Sequence, residues 1–331
     1  MADYKAIKGH TIQTVAGDPS VLAVGDIWYD SVAKKVQGAA TTAGSWASGG
    51  NMPGPASTNT GFGTLTAGVS AGGEISGASQ AEAYHYNGTA WSAGGNLNTH
   101  RNVAAAYGTQ TAGAIVGGHS PAFPGVTAIH ETYEGSSWTE AGDLNRARGY
   151  GAAGNIGTTS AAIVMGGHYH PVTAAESEEY NGTAWTEGND LNTARSDVKG
   201  AGTQTAALFI SGDGAPTTST NLTAAVESYD GSSWTEIADV NTAVLVHGAG
   251  GSQTEAIKVS GSTGSYTVNV EQWNGTSWTE VANVSTARGN GACGIASAAA
   301  NGFLGGGTPP STNITEEWTG DYAAAVTFTS S

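Results

Sequence analysis

Six tryptophans recur along this chain at nearly even spacing. Trp46, Trp91, Trp138, Trp185, Trp234 and Trp278 are separated by 45, 47, 47, 49 and 44 residues. Five of them close near-copies of one phrase: YNGTAW at 86–91, YEGSSW at 133–138, YNGTAW at 180–185, YDGSSW at 229–234 and WNGTSW at 273–278. A fixed period in this range marks a repeat architecture, with one supersecondary unit per repeat. Such a chain folds as stacked copies of one small unit, not as an irregular enzyme domain.

The stretch from Arg148 to Trp185 shows what that unit is. An apolar run, TTSAAIVMGG, ends in a glycine pair, as a strand buried on both faces does. Glu178 and Tyr180 are two apart and share one face of the next strand. Asn181-Gly182 predicts a tight hairpin with positive φ at both central residues, and Trp185 sits on the returning strand. Four antiparallel strands in about 45 residues make one propeller blade.

Two signatures count the blades. The glycine-rich end of the second strand occurs at Gly72-Gly73, Gly117-Gly118, Gly166-Gly167, Gly212, Gly261 and Gly305-Gly306. The aromatic before the turn occurs at Tyr86, Tyr133, Tyr180, Tyr229, Trp273 and Trp318. Each gives six. The chain nearly ends after Trp318, so the last blade lacks a fourth strand, while Trp46 carries a fourth-strand signature with no blade before it. Pairing the two closes a ring and removes an open sheet edge. The alternative is that the tail AAAVTFTSS supplies that strand and leaves Trp46 to another partner.

The glycine pair, the aromatic before the turn and the tryptophan five residues later resemble the kelch repeat of galactose-oxidase-like propellers, over roughly residues 36–320. The resemblance implies an all-β, six-bladed propeller with four-stranded antiparallel blades and a short N-terminal extension. The Thr-, Ala- and Gly-rich flavour, with GTQTAA at 202–207 and LNTAR at 191–195, is similar to the kelch-like propellers of tailed-bacteriophage virion proteins, marine phages above all. The leader MADYKAIKGHTIQTVAGDP, followed by VGDIWYDSVAKKVQG, resembles those of phage virion and tail-fibre proteins. What this implies is a virion structural protein, a tail fibre or outer decoration component, assembled in the host cytoplasm.

Composition narrows the partners. Only 11% of the 331 residues are charged, and 27 acidic against 11 basic side chains give a formal charge of −16. This argues against nucleic acid, which needs clustered cations, and against an anionic membrane surface. No stretch approaches the ~20 apolar residues of a membrane span, and the N-terminus shows no secretory h-region. With Cys293 as the single cysteine there is no disulfide framework within the chain.

The kelch resemblance raises the question of a copper oxidase. That site needs converging Tyr and His ligands and a Cys–Tyr cross-link, whereas Cys293 lies in the apolar phrase GACGIASAA, where a small buried thiol is ordinary. His168 and His170 form H-x-H, with His119 at the place of His168 one blade earlier, but the sequence offers no third ligand. The bland reading is loop histidines facing water or a ligand. Glu131, Glu178, Glu227, Glu271 and Glu316 recur two residues before the turn aromatic, and Arg101, Arg148, Arg195 and Arg288 recur in an N-x-x-R-like phrase. Repetition in register marks them as structural, since catalysis needs one asymmetric constellation. The expectation is therefore a non-enzyme with no catalytic residues, cofactor or metal. The alternative is a carbohydrate-active lyase or oxidase on the same propeller.

Recognition is expected where the repeats differ. The turn between strands one and two is uniform: GTQT, GTTS, GTQT and GSQT. The connections between strands two and three vary, as in HSPAFPGVTAI at 119–129, HYHPVTAA at 168–175 and STGSYTVN at 262–269. Binding faces gather such variation. Phe123, His119, His168, Tyr169, His170 and Tyr266 are the candidate binding residues, with Phe123, Tyr169 and Tyr266 as exposed aromatics suited to a host surface glycan. Residues 1–35 lack the repeat and are expected to form an attachment and oligomerisation segment built on Ile27, Trp28 and Tyr29. A short hairpin cannot bury that cluster alone, so sister subunits or other virion proteins should cover it. The propeller is then 36–322, and 323–331 a C-terminal tail.

Overall fold

A computed structural model of the chain describes residues 12–121, 125–151, 157–169, 172–214, 221–295 and 301–328. Among these residues there is no helix, hence none long and apolar enough to cross a membrane. The strands form two compact units, residues 45–320 and residues 1–44 with 321–331.

In the larger unit each repeat forms one propeller-like antiparallel sheet. The second is representative: Ala105–Thr109, Ala112–Val116, His130–Tyr133 and Trp138–Glu140 pair in sequence order. Four more sheets run from Thr60, Ala162, Lys199 and Gly248, the one from Ala162 with three described strands. In the last, Ala292–Ile295, Gly302–Gly305 and Thr315–Thr319 are joined by Ser45–Ser48. Trp46 lies opposite Trp318 in that pairing, with ring centroids 5.4 Å apart. The tail therefore leaves Trp46 to the partner expected of it, and the tail's own strand pairs elsewhere.

The turn after the aromatic differs from the tight hairpin expected. Tyr86 pairs with Trp91 and Tyr180 with Trp185, so four residues bridge each pair. Only the glycine is left-handed, Gly88 at φ 87° and Gly182 at φ 90°. The side chain supplies the rest: Asn87 Oδ1 accepts the N–H groups of Thr89 and Ala90 at 2.9 and 2.8 Å. An Asx turn needs an acceptor, not a left-handed residue, and so tolerates Asp230, whose Oδ1 takes the Ser232 and Ser233 N–H groups.

The core lies between sheets. Phe62, Val69, Ala106 and Ile115 from adjacent sheets pack with Tyr133 and Trp138, and Leu208, Ile210, Ala249 and Ala256 pack with Trp273 and Trp278. The repeated ions join the sheets. Arg101, Arg148 and Arg195 each reach from the connecting segment to Glu131, Glu178 and Glu227 on the strand that ends in the turn aromatic of the following sheet, and all six side chains are buried. The Arg148–Glu178 contact is 2.8 Å and the Arg195–Glu227 contact 2.7 Å. Each carboxylate also accepts a backbone N–H and a side-chain amide from Asn98, Asn145 or Asn192. Each buried carboxylate is paired and hydrogen-bonded within the structure, so the recurrence of these ions marks repeat joints.

The smaller unit has its own four-stranded sheet, in the order Gln13–Val15, Ile27–Asp30, Lys35–Thr42 and Tyr322–Thr327. Its limits differ from 35/36 and 322/323 because Lys35–Thr42 continues past Val36 and pairs from Gln37 to Thr42 with Tyr322–Thr327. Residues 323–327 are thus part of a sheet rather than a free tail. Asp30 pins the hairpin: its Oδ1 accepts N–H groups from Gly17, Val32 and Ala33, which hold its carboxyl below the usual range. Trp28 is only 2% exposed, so within the attachment cluster it is Ile27 and the half-buried Tyr29 that remain open.

Candidate functional site

Just before the innermost strand of five repeats, and at the matching position of the other, the backbone takes a conformation no propensity favours. Thr58, Val103, Tyr150, Asp197, Val246 and Asn290 have φ between 46° and 57°. Left-handed backbone is costly for β-branched residues such as Thr58, Val103 and Val246. It persists because each repeat captures the next. Val103 N–H donates to the Thr58 carbonyl at 3.0 Å, Tyr150 to Val103 at 3.0 Å, Asp197 to Tyr150 at 2.9 Å, Val246 to Asp197 at 2.9 Å and Asn290 to Val246 at 2.7 Å. This neck lies on the same side of the sheets as the connections between strands two and three. It surrounds about 20 Å³ of space, room for a single water.

The neck is regular in backbone and irregular in chemistry. Asp197 is its one carboxylate, and burial pushes it up to about 6 against the opposing hydrogen bond from Ser196 Oγ at 3.2 Å. Burial raises the Tyr150 phenol, and the charges of Asp197 and Glu74 add to the shift. The Lys199 ammonium, which also borders the space, is depressed by burial. Among the described residues it has no salt-bridge partner. In a space of this size a carboxyl, a phenol and an ammonium can hold one water by hydrogen bonds and exchange protons with it. On the opposite side of the sheets the Gly-Thr turns line a cavity of about 510 Å³ with Thr64, Thr109, Thr158, Thr203 and Ser252, and the described residues that line it carry no charge.

The expected binding residues fall around the neck unevenly. His168 stacks on Tyr150, with centroids 4.6 Å apart and an interplanar angle of 18°. His119 and His168 hold equivalent backbone positions, exchanging hydrogen bonds with Asn102 and Gly149. Tyr169 is not an open platform: the Arg146 guanidinium sits 3.4 Å from its ring centroid, and its hydroxyl donates to Glu176 at 3.2 Å. Tyr266 is half-buried against the Gly289 backbone, where a Cβ would come within 2.9 Å of its ring. Phe123 and His170 lie outside the described residues. Among the described residues no three His, Cys, Asp or Glu side chains cluster as metal ligands. Cys293 is buried, its thiol pushed up to about 12 by desolvation.

Sequence reasoning missed Tyr150, Asp197 and Lys199. The signal was present, since every neck residue stands twelve positions after a tryptophan of the repeat. It was hidden because the residue types share nothing but that spacing.

No protein-family model matches the chain, and no curated protein matches it. Among solved structures, one described as the structure of YjhT is similar over 83% of this chain and 99% of its own, with a TM-score of 0.66 and 15% sequence identity. At that identity the likeness is one of fold: the chain shares a propeller-like, all-β architecture with it.

Proposed function

We propose that residues 45–320 form a six-bladed, kelch-like propeller closed by the Trp46 strand, presented as the rigid head of a tailed-phage virion component. Closure is supported by the Trp46–Trp318 pairing and by the five neck hydrogen bonds that link six repeats in succession. It is supported further by Thr60–Thr64 packing against both Ala105–Thr109 and Ala292–Ile295. The smaller unit attaches the head to other virion proteins or sister copies, and the variable-loop side meets the environment, with a host surface glycan as its ligand.

The observation that carries attachment is the distribution of exposed apolar side chains. Of the nine large hydrophobics exposed among the described residues, only Val172 belongs to the larger unit. The phage assignment rests on the leader and repeat resemblance. Mass spectrometry of purified particles, with an imaging map, tests it, and absence of the chain from particles refutes it.

The alternative of a carbohydrate-active enzyme would draw on Asp197, Tyr150 and Lys199 at the neck, but the space they border holds a single water and admits no sugar ring. Incubation with host polysaccharides separates the two readings. Turnover that Asp197→Asn abolishes would establish the enzyme, whereas binding without turnover supports recognition.

A further inference from the structure

The sheet of the smaller unit has two unlike faces. Trp28 pairs with Gln13 and Gln37, and both Trp28 and Gln37 are buried. Residues one step away point to the opposite face. There Ile27 and Val326 flank Gly38, and Tyr29 pairs with Val36. Phe328 follows on the same face. Its N–H donates to the Val36 carbonyl, and its ring lies across Gly38, where a Cβ would come within 2.6 Å of it. Ile12 precedes Gln13 and extends the face to the far edge. Ile12, Ile27, Val36, Val326 and Phe328 are 37–50% exposed. Strands from both ends of the chain thus build one continuous apolar surface.

Charge singles out the same unit. Residues 1–44 with 321–331 hold four lysines and five aspartates, a formal −1, so 45–320 carries −15 of the chain's −16. Two copies repel each other through the larger unit and scarcely at all through the smaller.

We propose that this face mates with the same face of a second copy of the chain, by a two-fold, isologous contact. The proposal rests on the reading of the smaller unit as an attachment and oligomerisation segment, and names its surface and its partner. The side chains named on this face carry no charge, and the unit that bears them is nearly neutral, so a like face meets it without repulsion. Four strands about 4.8 Å apart and about five residues long cover on the order of 300 Å² in plan. A stable interface buries about 800 Å² per partner, so the contact is concentration-dependent rather than obligate.

Light scattering coupled to size exclusion on the full-length protein, from low to high micromolar concentration, reads the mass directly. The expected result is a rise from one chain mass toward two. Val36→Glu with Val326→Glu should hold the protein monomeric, while Val36→Thr with Val326→Thr only weakens the dimer. Unchanged circular dichroism and thermal midpoint in both would show that folding is intact, and Val172→Glu in the larger unit should dimerise like the wild type. A wild type that stays monomeric throughout overturns the proposal, as does a dimer indifferent to the glutamates. Absence from particles would sink the virion reading and leave this measurement standing.

Discussion

Lys258 Nζ lies 2.9 Å from Glu271 Oε1, with both side chains fully buried, in a joint where the connecting segment has no arginine. Val244 occupies the place of Arg101, Arg148, Arg195 and Arg288, four residues after the buried Val240 as those follow Leu97, Leu144, Leu191 and Val284. Lys258 stands directly across the sheet from Glu271, where the other sheets have Ile115, Val164, Phe209 and Leu304. The cation has moved from the connecting segment to the second strand, and the carboxylate keeps a partner.

Lys258→Leu should therefore strand Glu271. Removing one member of a buried pair costs about 3–5 kcal/mol, and the N–H donors from Asn241 and Thr242 moderate the loss. Lys258→Leu combined with Val244→Arg restores the arrangement of the other joints and should recover most of it. Urea unfolding of the two variants measures the difference. Equal destabilisation in both would show that the joints are not interchangeable.

Trp318→Ala should weaken the sheet that joins the two ends of the larger unit. Trp318 is fully buried, and truncating a buried tryptophan costs about 3–5 kcal/mol. Tryptophans not involved in that pairing serve as controls. Trp234→Ala should lose similar stability, yet only Trp318→Ala should make the segment around Trp46 an early protease target. Indistinguishable cleavage patterns would mean that the Trp46 strand does not close the unit.

The repeat was legible because each sheet needs the same turn and the same buried aromatic, and those needs fall on fixed residue types. Counting pointed to Trp46 opposite Trp318, with the tail left as the other candidate for that strand. The neck was not legible: Val103 and Val246 are poor candidates for left-handed backbone, and hydrogen bonds to the repeats on either side hold them there. The pairing of Lys35–Thr42 with Tyr322–Thr327 was equally hidden, since nothing local in AAAVTFTSS names a partner near the other end of the chain. Lys258 escaped notice because its glutamate kept the repeat pattern while its cation left it.

Alanine at Tyr266 should now cost stability. A free surface aromatic would be replaced with little change, but the Tyr266 ring packs on Gly289 and burial raises its phenol above the usual range. A loss of about 1–3 kcal/mol is expected, as for other partly buried side chains. Tyr169→Ala should cost less, because Arg146 and Glu176 keep their 2.7 Å contact without it. Chemical unfolding separates the two. An unchanged Tyr266→Ala would make that residue free for ligand contact.

Acid should destabilise the protein through His247. The imidazole is fully buried, neither ring nitrogen has a hydrogen-bond partner among the described residues, and Lys258 and Lys199 bear on it with like charge. Burial, then those charges, hold it well below its ordinary value. An unfolded histidine titrates near about 6.5, so below that pH the unfolded chain binds a proton that the folded chain refuses. Unfolding free energy then falls with pH by up to ~1.4 kcal/mol per unit for each such group. His130, held down to about 4 by burial, acts in the same direction until the pH reaches that value. Asp197, pushed up to about 6, acts oppositely, because its folded form takes up the proton first. Comparison of wild type with His247→Leu removes these shared contributions. Urea unfolding between pH 7.5 and pH 4.5 should show the variant losing up to ~1.4 kcal/mol less per unit below about pH 6.5. Parallel pH profiles would mean that His247 takes up its proton in the folded state as readily as in the unfolded one.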